Sequence, residues 1–194
     1  MPGAIQAVIF DMDGTLTVPV LDFPRMKAEI GIPQDQGLLE SLAAMGEGER
    51  SAAEAILLRH ELAAAQDSVL NPGVAEMLQS LSRLGVRTAI LTRNCAESVR
   101  IVTGKHSLCF DAVVSREDSK PKPDPDGVLV AASRLGVDPQ ACLVIGDYEF
   151  DIQAGRAAGS LTVLFSPSGR SFQTVPDFQI RDMSELPMLL ESLA

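Results

Sequence analysis

Three cysteines and two histidines are all that the 194 residues offer as soft or imidazole ligands. Cys95, Cys109 and Cys142 are odd in number and lack metal-like spacing. They read as reduced thiols, as expected of a cytoplasmic protein. His60 and His106 stand in no partner pattern and read as surface or packing residues. Positive charge is also scarce. Sixteen Lys and Arg face 26 Asp and Glu, a net charge of −10, which argues against sequence-independent binding to nucleic acid. No apolar run reaches the length of a membrane span, so no membrane partner is expected. The N-terminus has no basic start, and its apolar run stops at Asp11, so it does not read as a signal peptide. Repeats and low-complexity segments are absent.

What remains is an ordinary globular composition, 46% hydrophobic and 22% charged. The length suffices for one sizeable core and a small appended piece. The most informative stretch is Phe10-Asp11-Met12-Asp13-Gly14-Thr15-Leu16-Thr17, directly after the apolar run Ala7-Val8-Ile9-Phe10. That run reads as a buried parallel strand, which puts Asp11 at its carboxyl end, where open α/β sheets bind ligands. Asp11 can take a phosphoryl group onto its carboxylate and ligate a metal with its other oxygen. Asp13 can serve as general acid to a leaving oxygen and then as general base to water. Gly14 clears space where backbone N–H groups approach an anion.

Between Thr17 and Asn71 helical periodicity takes over. The spacing predicts a helix from Asp22-Phe23-Pro24 to Gly31, one over 36–45, and one over 49–66 with Ala53, Ile56, Leu57 and Ala64 near one face. Residues 18–70 therefore read as a helical insert on a core of residues 1–17 and 71–194. From Asn71 strands and helices alternate. Asn71-Pro72 reads as the start of a helix with the stripe Val74, Met77, Leu78, Leu81 and Leu84, ended by Gly85. Strands are predicted over 86–91, 112–114, 142–145, 161–165 and near 178–180. Helices are predicted over 94–104, from Asp124 to Gly136 (apolar face Val128, Leu129, Ala132, Leu135), over 150–158 and over 185–193. This rhythm implies an α/β protein, a doubly wound parallel sheet covered on both faces.

Three more polar stations fall at or beyond strand ends. In Leu91-Thr92-Arg93-Asn94, Thr92 offers a hydroxyl, and Arg93 and Asn94 offer N–H groups at a helix start, an anion cradle. Ser119-Lys120-Pro121-Lys122-Pro123-Asp124-Pro125 is stiffened by alternating prolines and can aim an ammonium group. In Val144-Ile145-Gly146-Asp147-Tyr148-Glu149-Phe150-Asp151, two carboxylates stand four residues apart after a buried strand.

These four stations, in this order, resemble the motifs of the haloacid dehalogenase superfamily in its phosphatase form, in particular the phosphoglycolate-phosphatase-like branch. The resemblance covers nearly the whole chain and implies a Rossmannoid core with a helical cap, here shorter than that branch's four-helix caps. It implies a phosphatase that hydrolyses a small phosphomonoester through an aspartyl-phosphate on Asp11. Asp13 would be the acid/base and Thr92 would hold the phosphoryl group. Lys120, matched to Lys-Pro-x-Pro, would neutralise the charge shared with Asp11, with Lys122 as the fallback. Mg²⁺ would be the cofactor, held by Asp11, the Asp13 carbonyl, Asp147 and Asp151. Gly14, Thr92, Arg93, Asn94 and Lys120 would line the phosphate site; Arg93 either contacts substrate or only covers the surface. Tyr148 departs from the family's usual Ser or Thr. The expected partner is a small phosphorylated metabolite, and the expected state is a monomer or homodimer. The rival readings are a phosphomutase of the same superfamily and a non-catalytic binding protein that keeps the fold.

Overall fold

The strands send alternate side chains to opposite faces, and that alternation fixes how the sheet is covered. In a computed structural model, which describes residues 4–193, β1 (Ala7–Phe10), β2 (Arg87–Leu91), β3 (Ala112–Val114), β4 (Cys142–Gly146), β5 (Leu161–Phe165) and β6 (Phe178–Ile180) form one parallel sheet. Their order is β3-β2-β1-β4-β5-β6. β1 is central, with Phe10 paired to Ile90 of β2 on one side and to Ile145 of β4 on the other. Val8 and Phe10 point into one apolar layer, and Ala7 and Ile9 into the other. The first layer is closed by α4 (Val74–Arg83), α5 (Ala96–His106) and α8 (Glu185–Ser192), through Met77, Leu81, Val99, Val102, Leu186 and Leu190. The second is closed by α6 (Asp126–Leu135) and α7 (Glu149–Ala157), through Val128, Ala131, Ala132, Leu135 and Ala154. The chain is thus the expected doubly wound α/β protein. Its strand order reverses between β1 and β4, which leaves a crevice at the carboxyl ends of these two strands.

The insert consists of α1 (Phe23–Ile30), α2 (Leu38–Ala44) and α3 (Glu47–Asp67). Asp22 starts α1 as the sequence suggests: its carboxylate accepts from the Arg25 N–H at 3.0 Å, and Gly31 ends the helix in the left-handed region. The three helices bury a small core of their own, comprising Met26, Ile32, Leu38, Leu42, Ala53 and Leu57. The second half of α3 behaves differently. It packs against α5, and Ala65 belongs to the main core. Where the insert leaves and rejoins the core its two legs pair, with Val18 N–H donating to the Val69 carbonyl at 2.8 Å and Asn71 N–H to Leu16 at 2.9 Å.

Several sequence expectations are corrected here. Asn71 is not a helix cap. Its side-chain amide donates to the carbonyls of Gly14, Thr15 and Thr17 at 3.2, 2.8 and 3.0 Å, which ties the exit of the insert to the loop after β1. The residue before α4 is Gly73, at φ 80°. Leu84 lies beyond the end of α4 and Leu129 lies off the buried face of α6; both are exposed. On α6 Ala131 takes the inward place expected of Leu129, because the run Val128, Ala131, Ala132, Leu135 keeps the helical period. No described helix is long and apolar enough to cross a membrane.

Candidate active site

Asp11 extends β1 by one residue, and its N–H donates to the Ile145 carbonyl of β4 at 2.9 Å. Thr92 extends β2 in the same way, donating to Val114 of β3 at 3.0 Å. Asp147 follows β4 directly. All three polar stations therefore lie at one sheet edge, because parallel strands all end on the same side. The carboxylates of Asp11, Asp147 and Asp151 converge, with one oxygen from each within 4.8 Å of the others. Gly14 turns beside them at φ 88°, and a Cβ there would overlap an Asp147 oxygen. A side chain at this position would collide with the carboxylate, so glycine is required by space as well as by backbone angle.

The lysine in this cluster is Lys122, not Lys120. The Lys122 ammonium group, 4% exposed, donates to Asp11 at 2.6 Å, to Asp151 at 2.5 Å and to the Leu91 carbonyl at 3.0 Å. Lys120 is 72% exposed and reaches only Asp124, at 3.8 Å. Its own N–H is held by Asp126 at 3.0 Å. The sequence fits Lys-Pro-x-Pro in two overlapping frames, at 120–123 and at 122–125. The turn closed by Asp124 N–H on the Pro121 carbonyl leaves the second lysine facing inward.

Burial raises the pKa of Asp11 well above the ordinary carboxylate range. The Lys122 charge opposes that shift, and Asp151 and Asp147 add to it. Asp147 is pushed up to about 6, first by burial and then by the Asp151 charge. Burial works against the charge on Lys122, but Asp11 and Asp151 outweigh it and hold the ammonium form. Three carboxyl groups face one ammonium, and the raised pKa values of Asp11 and Asp147 come in part from that crowding of like charge. That imbalance, with an all-oxygen donor set, fits a hard divalent cation. Asp151 contributes less freely than the others, since Lys122 takes one oxygen and the Tyr148 N–H the other, at 3.1 Å. It also caps the first turn of α7.

Asp13 faces away from this trio. Its oxygens accept from the Thr17 hydroxyl at 3.3 Å and from the Asn94 amide. Burial raises its pKa, against the pull of the Asn94 and Thr17 hydrogen bonds. A carboxyl group whose pKa is raised, held by two hydrogen bonds, suits proton transfer. Thr92 is buried, and its hydroxyl oxygen accepts from Asn94 N–H at 3.2 Å, which leaves the hydroxyl proton free to donate.

Of the anion cradle expected from the Arg93 and Asn94 N–H groups, Asn94 N–H is engaged locally by Thr92, whereas Arg93 N–H has no partner among the described residues. Further along the helix start Cys95 N–H is taken by Glu61 at 3.2 Å and Ala96 N–H by Glu117 at 3.0 Å. Two of these partners are already carboxylates, so the end of α5 carries its anions within the chain. Glu61 comes from α3. It is 2% exposed and pairs with Arg116, whose guanidinium also donates to the Arg93 carbonyl at 3.3 Å. Sequence reasoning missed Glu61, Arg116 and the contact of Asn94 with Asp13. A signal for Glu61 existed: it continues the buried stripe Ala53, Leu57, Ala65 at intervals of four. Arg93 itself donates to both oxygens of Glu40 on α2, at 2.9 and 3.2 Å, and lies 5.3 Å from the centre of the Phe150 ring.

The model of the haloacid dehalogenase-like hydrolase family matches residues 5–159. The chain belongs to that family. An uncharacterized hydrolase of Saccharomyces cerevisiae is 31% identical, over 97% of this chain and 92% of its own. A phosphoglycolate phosphatase of Xanthomonas campestris is 32% identical, over 81% of each chain. The fold matches that of a hydrolase from Pseudomonas syringae with a TM-score of 0.83 and 22% identity, over 97% of this chain and 99% of that one. This haloacid dehalogenase-like chain is thus an enzyme whose named relatives include a phosphatase, as its four motifs lead one to expect.

Proposed function

We propose that the chain hydrolyses small phosphomonoesters through a phosphoryl group carried on Asp11. The observation that supports this best is the buried clamp of Lys122 on Asp11, beside the unbalanced carboxylates of Asp147 and Asp151. A nucleophilic carboxylate needs its charge oriented, and a transferring phosphoryl group needs that charge offset. Lys122 does both, and so takes the role that Lys120 does not reach. Asp11, Asp147 and, more weakly, Asp151 would hold Mg²⁺ together with the Asp13 carbonyl, and the ion would offset charge on the phosphoryl oxygens. The Thr92 hydroxyl donates to a phosphoryl oxygen. Asp13, kept in place by Asn94 and Thr17, gives its proton to the leaving oxygen and takes one from the water that follows. Residues 18–70 act as a cap that chooses the leaving group, and 1–17 with 71–194 act as the chemical core. Arg25, Lys27, Arg50 and Arg59 are the cations of the insert. Three of them are engaged inside it: Lys27 on the Gln34 carbonyl, Arg50 on Met45 and Arg59 on Glu29.

The test is phosphate release from a panel of phosphorylated metabolites, after chelation and after restoring Mg²⁺. The expected result is Mg²⁺-dependent turnover of at least one ester. Full turnover after exhaustive chelation would overturn the metal assignment, and no turnover of any ester would overturn the reaction.

A further inference from the structure

Arg93 belongs to the loop after β2, and Phe150 to the first turn of α7, after β4. β1 lies between those two strands. A guanidinium from the β2 loop stacked on a ring from the β4 side therefore crosses the carboxyl end of β1, where Asp11 and Asp13 stand. The Arg93 side chain is 25% exposed, its peptide carbonyl is held from below by Arg116, and its ring partner is packed edge-on against Tyr148. Arg93 roofs the β2 side of the site, its guanidinium held by one partly exposed carboxylate, Glu40 of the insert; Arg170 is a second arginine near the site, its charge acting on Asp147.

We propose that Arg93 selects substrates carrying a second anionic group, and that Glu40 holds the place of that group until substrate arrives. The proposal rests on the phosphatase reading and adds the class of ester. The chemistry is that of the contact itself. A guanidinium offers donors in a planar fork that suits a carboxylate, and the fork is pre-oriented here by an aromatic face and a fixed backbone. The pair with Glu40 is partly solvated and so is exchangeable at small cost. An ester whose phosphate sits at Asp11 and whose carboxylate reaches Arg93 replaces Glu40 with a group of the same kind. A neutral alcohol portion offers nothing in return for breaking the pair.

The test compares phosphoglycolate with 2-hydroxyethyl phosphate, matched in length and differing in the second charge. The wild-type enzyme should favour phosphoglycolate in kcat/KM. Arg93→Met should lower that ratio by roughly 10- to 100-fold, the size of a lost charge-assisted hydrogen bond. Arg93→Lys should fall between, since it keeps the charge and loses the fork. Glu40→Gln should raise the ratio by lowering KM for phosphoglycolate. Equal losses on both esters in Arg93→Met, or no wild-type preference, would overturn the proposal. A calorimetric arm keeps the two readings apart: with Mg²⁺ present, 3-phosphonopropionate, which keeps the spacing of phosphoglycolate with CH₂ in place of the ester oxygen, should bind more tightly than propylphosphonate, and Arg93→Met should erase the difference. An enzyme inactive on both esters and on every other ester of the metabolite panel that still shows this pattern would sink the phosphatase reading and keep the role of Arg93. Equal binding of the two phosphonates to the wild type would sink the role of Arg93, whatever the activity.

Discussion

The floor of the site and the insert above it are held by different kinds of contact. On the floor, Lys122 sits between Asp11 and Asp151 with almost no water access. In the insert, Arg59 and His60 meet Glu29 at the surface, and Arg93 meets Glu40 with half of the carboxylate in solvent. Buried charge pairs are costly to break and hold one geometry. Exposed pairs are worth little and can exchange partners. Chemistry needs the first property, because a phosphoryl group must meet its nucleophile within fractions of an ångström. Choice among substrates tolerates the second. The exception is Glu61, an insert residue with a buried pair to the core. It makes the second half of α3 part of the floor's support, and leaves α1 and α2 as the portion free to adjust.

If the floor is the chemical part, substitutions there should remove turnover. Asp11→Asn should abolish it, since no phosphoenzyme can form. Asp13→Asn keeps its backbone carbonyl and loses proton transfer, typically about 10²–10⁴-fold. With an activated aryl phosphate its first step should be partly spared, and intact-mass measurement after rapid quenching should show one added phosphoryl group. The same group on Asp11→Asn, or near-normal turnover by Asp13→Asn, would reverse the roles. Lys122→Met should cost at least about 10²–10³-fold in kcat, whereas Lys120→Met should turn over at the wild-type rate. A large loss on Lys120→Met would restore the first frame of the Lys-Pro repeat.

The two lysines also mark where the sequence stops being legible. Strand ends were readable because β1 and β4 are uninterrupted apolar runs, β2 ends in one (Ala89-Ile90-Leu91), and each is followed at once by a polar residue. Asp11, Thr92 and Asp147 therefore came out at one edge without coordinates. The lysine stands eight residues beyond β3, where no periodicity constrains which side chain turns inward. Two frames of one pattern, two residues apart, cannot be separated by composition. The helix start beyond Asn94 was illegible for a related reason. A free N-terminus and one capped by distant carboxylates have the same local sequence, and Glu61 is 34 residues from Cys95 in the chain. What could have been found was Glu61 itself, a charge on a buried stripe, which is rare without a partner.

The seam between α3 and the core should be worth more than the surface pairs of the insert. Glu61→Ala leaves the Arg116 guanidinium unpaired and frees Cys95 N–H. Breaking a buried pair typically costs about 3–5 kcal/mol; Arg116 is a quarter exposed, so the lower end, about 3 kcal/mol, is expected in denaturant unfolding. Glu29→Gln, which removes an exposed pair in the insert, should leave the unfolding midpoint where it was. Similar midpoint shifts from the two substitutions would erase the distinction between the seam and the rest of the insert.

The smallest expected effect is local and reads the seam directly. Cys109 is exposed, Cys142 is buried in β4, and Cys95 is buried under Glu61 at the seam. Alkylation requires both access and the thiolate form. Burial pushes the Cys142 thiol up to about 11, and burial also raises the Cys95 thiol, with the Glu61 charge adding to it. At pH 8 the native protein should therefore label once, at Cys109, and three times when unfolded. If the seam is fixed, Cys95 and Cys142 should stay equally protected. Glu61→Ala should speed labelling of Cys95 and spare Cys142, but two causes are mixed in that variant. Losing the carboxylate opens the seam, and it also lowers the Cys95 pKa by removing a nearby negative charge. Glu61→Gln separates them, since it removes the charge and keeps the side chain's length and its acceptor for Cys95 N–H. Fast labelling in Glu61→Ala with slow labelling in Glu61→Gln would show that the contact closes the seam. Equal rates in the two variants would show that the thiol's ionisation alone had changed. Rapid labelling of Cys95 in the wild type would mean that α3 leaves the core as freely as the rest of the insert, and would end the contrast between a fixed and an adjustable half.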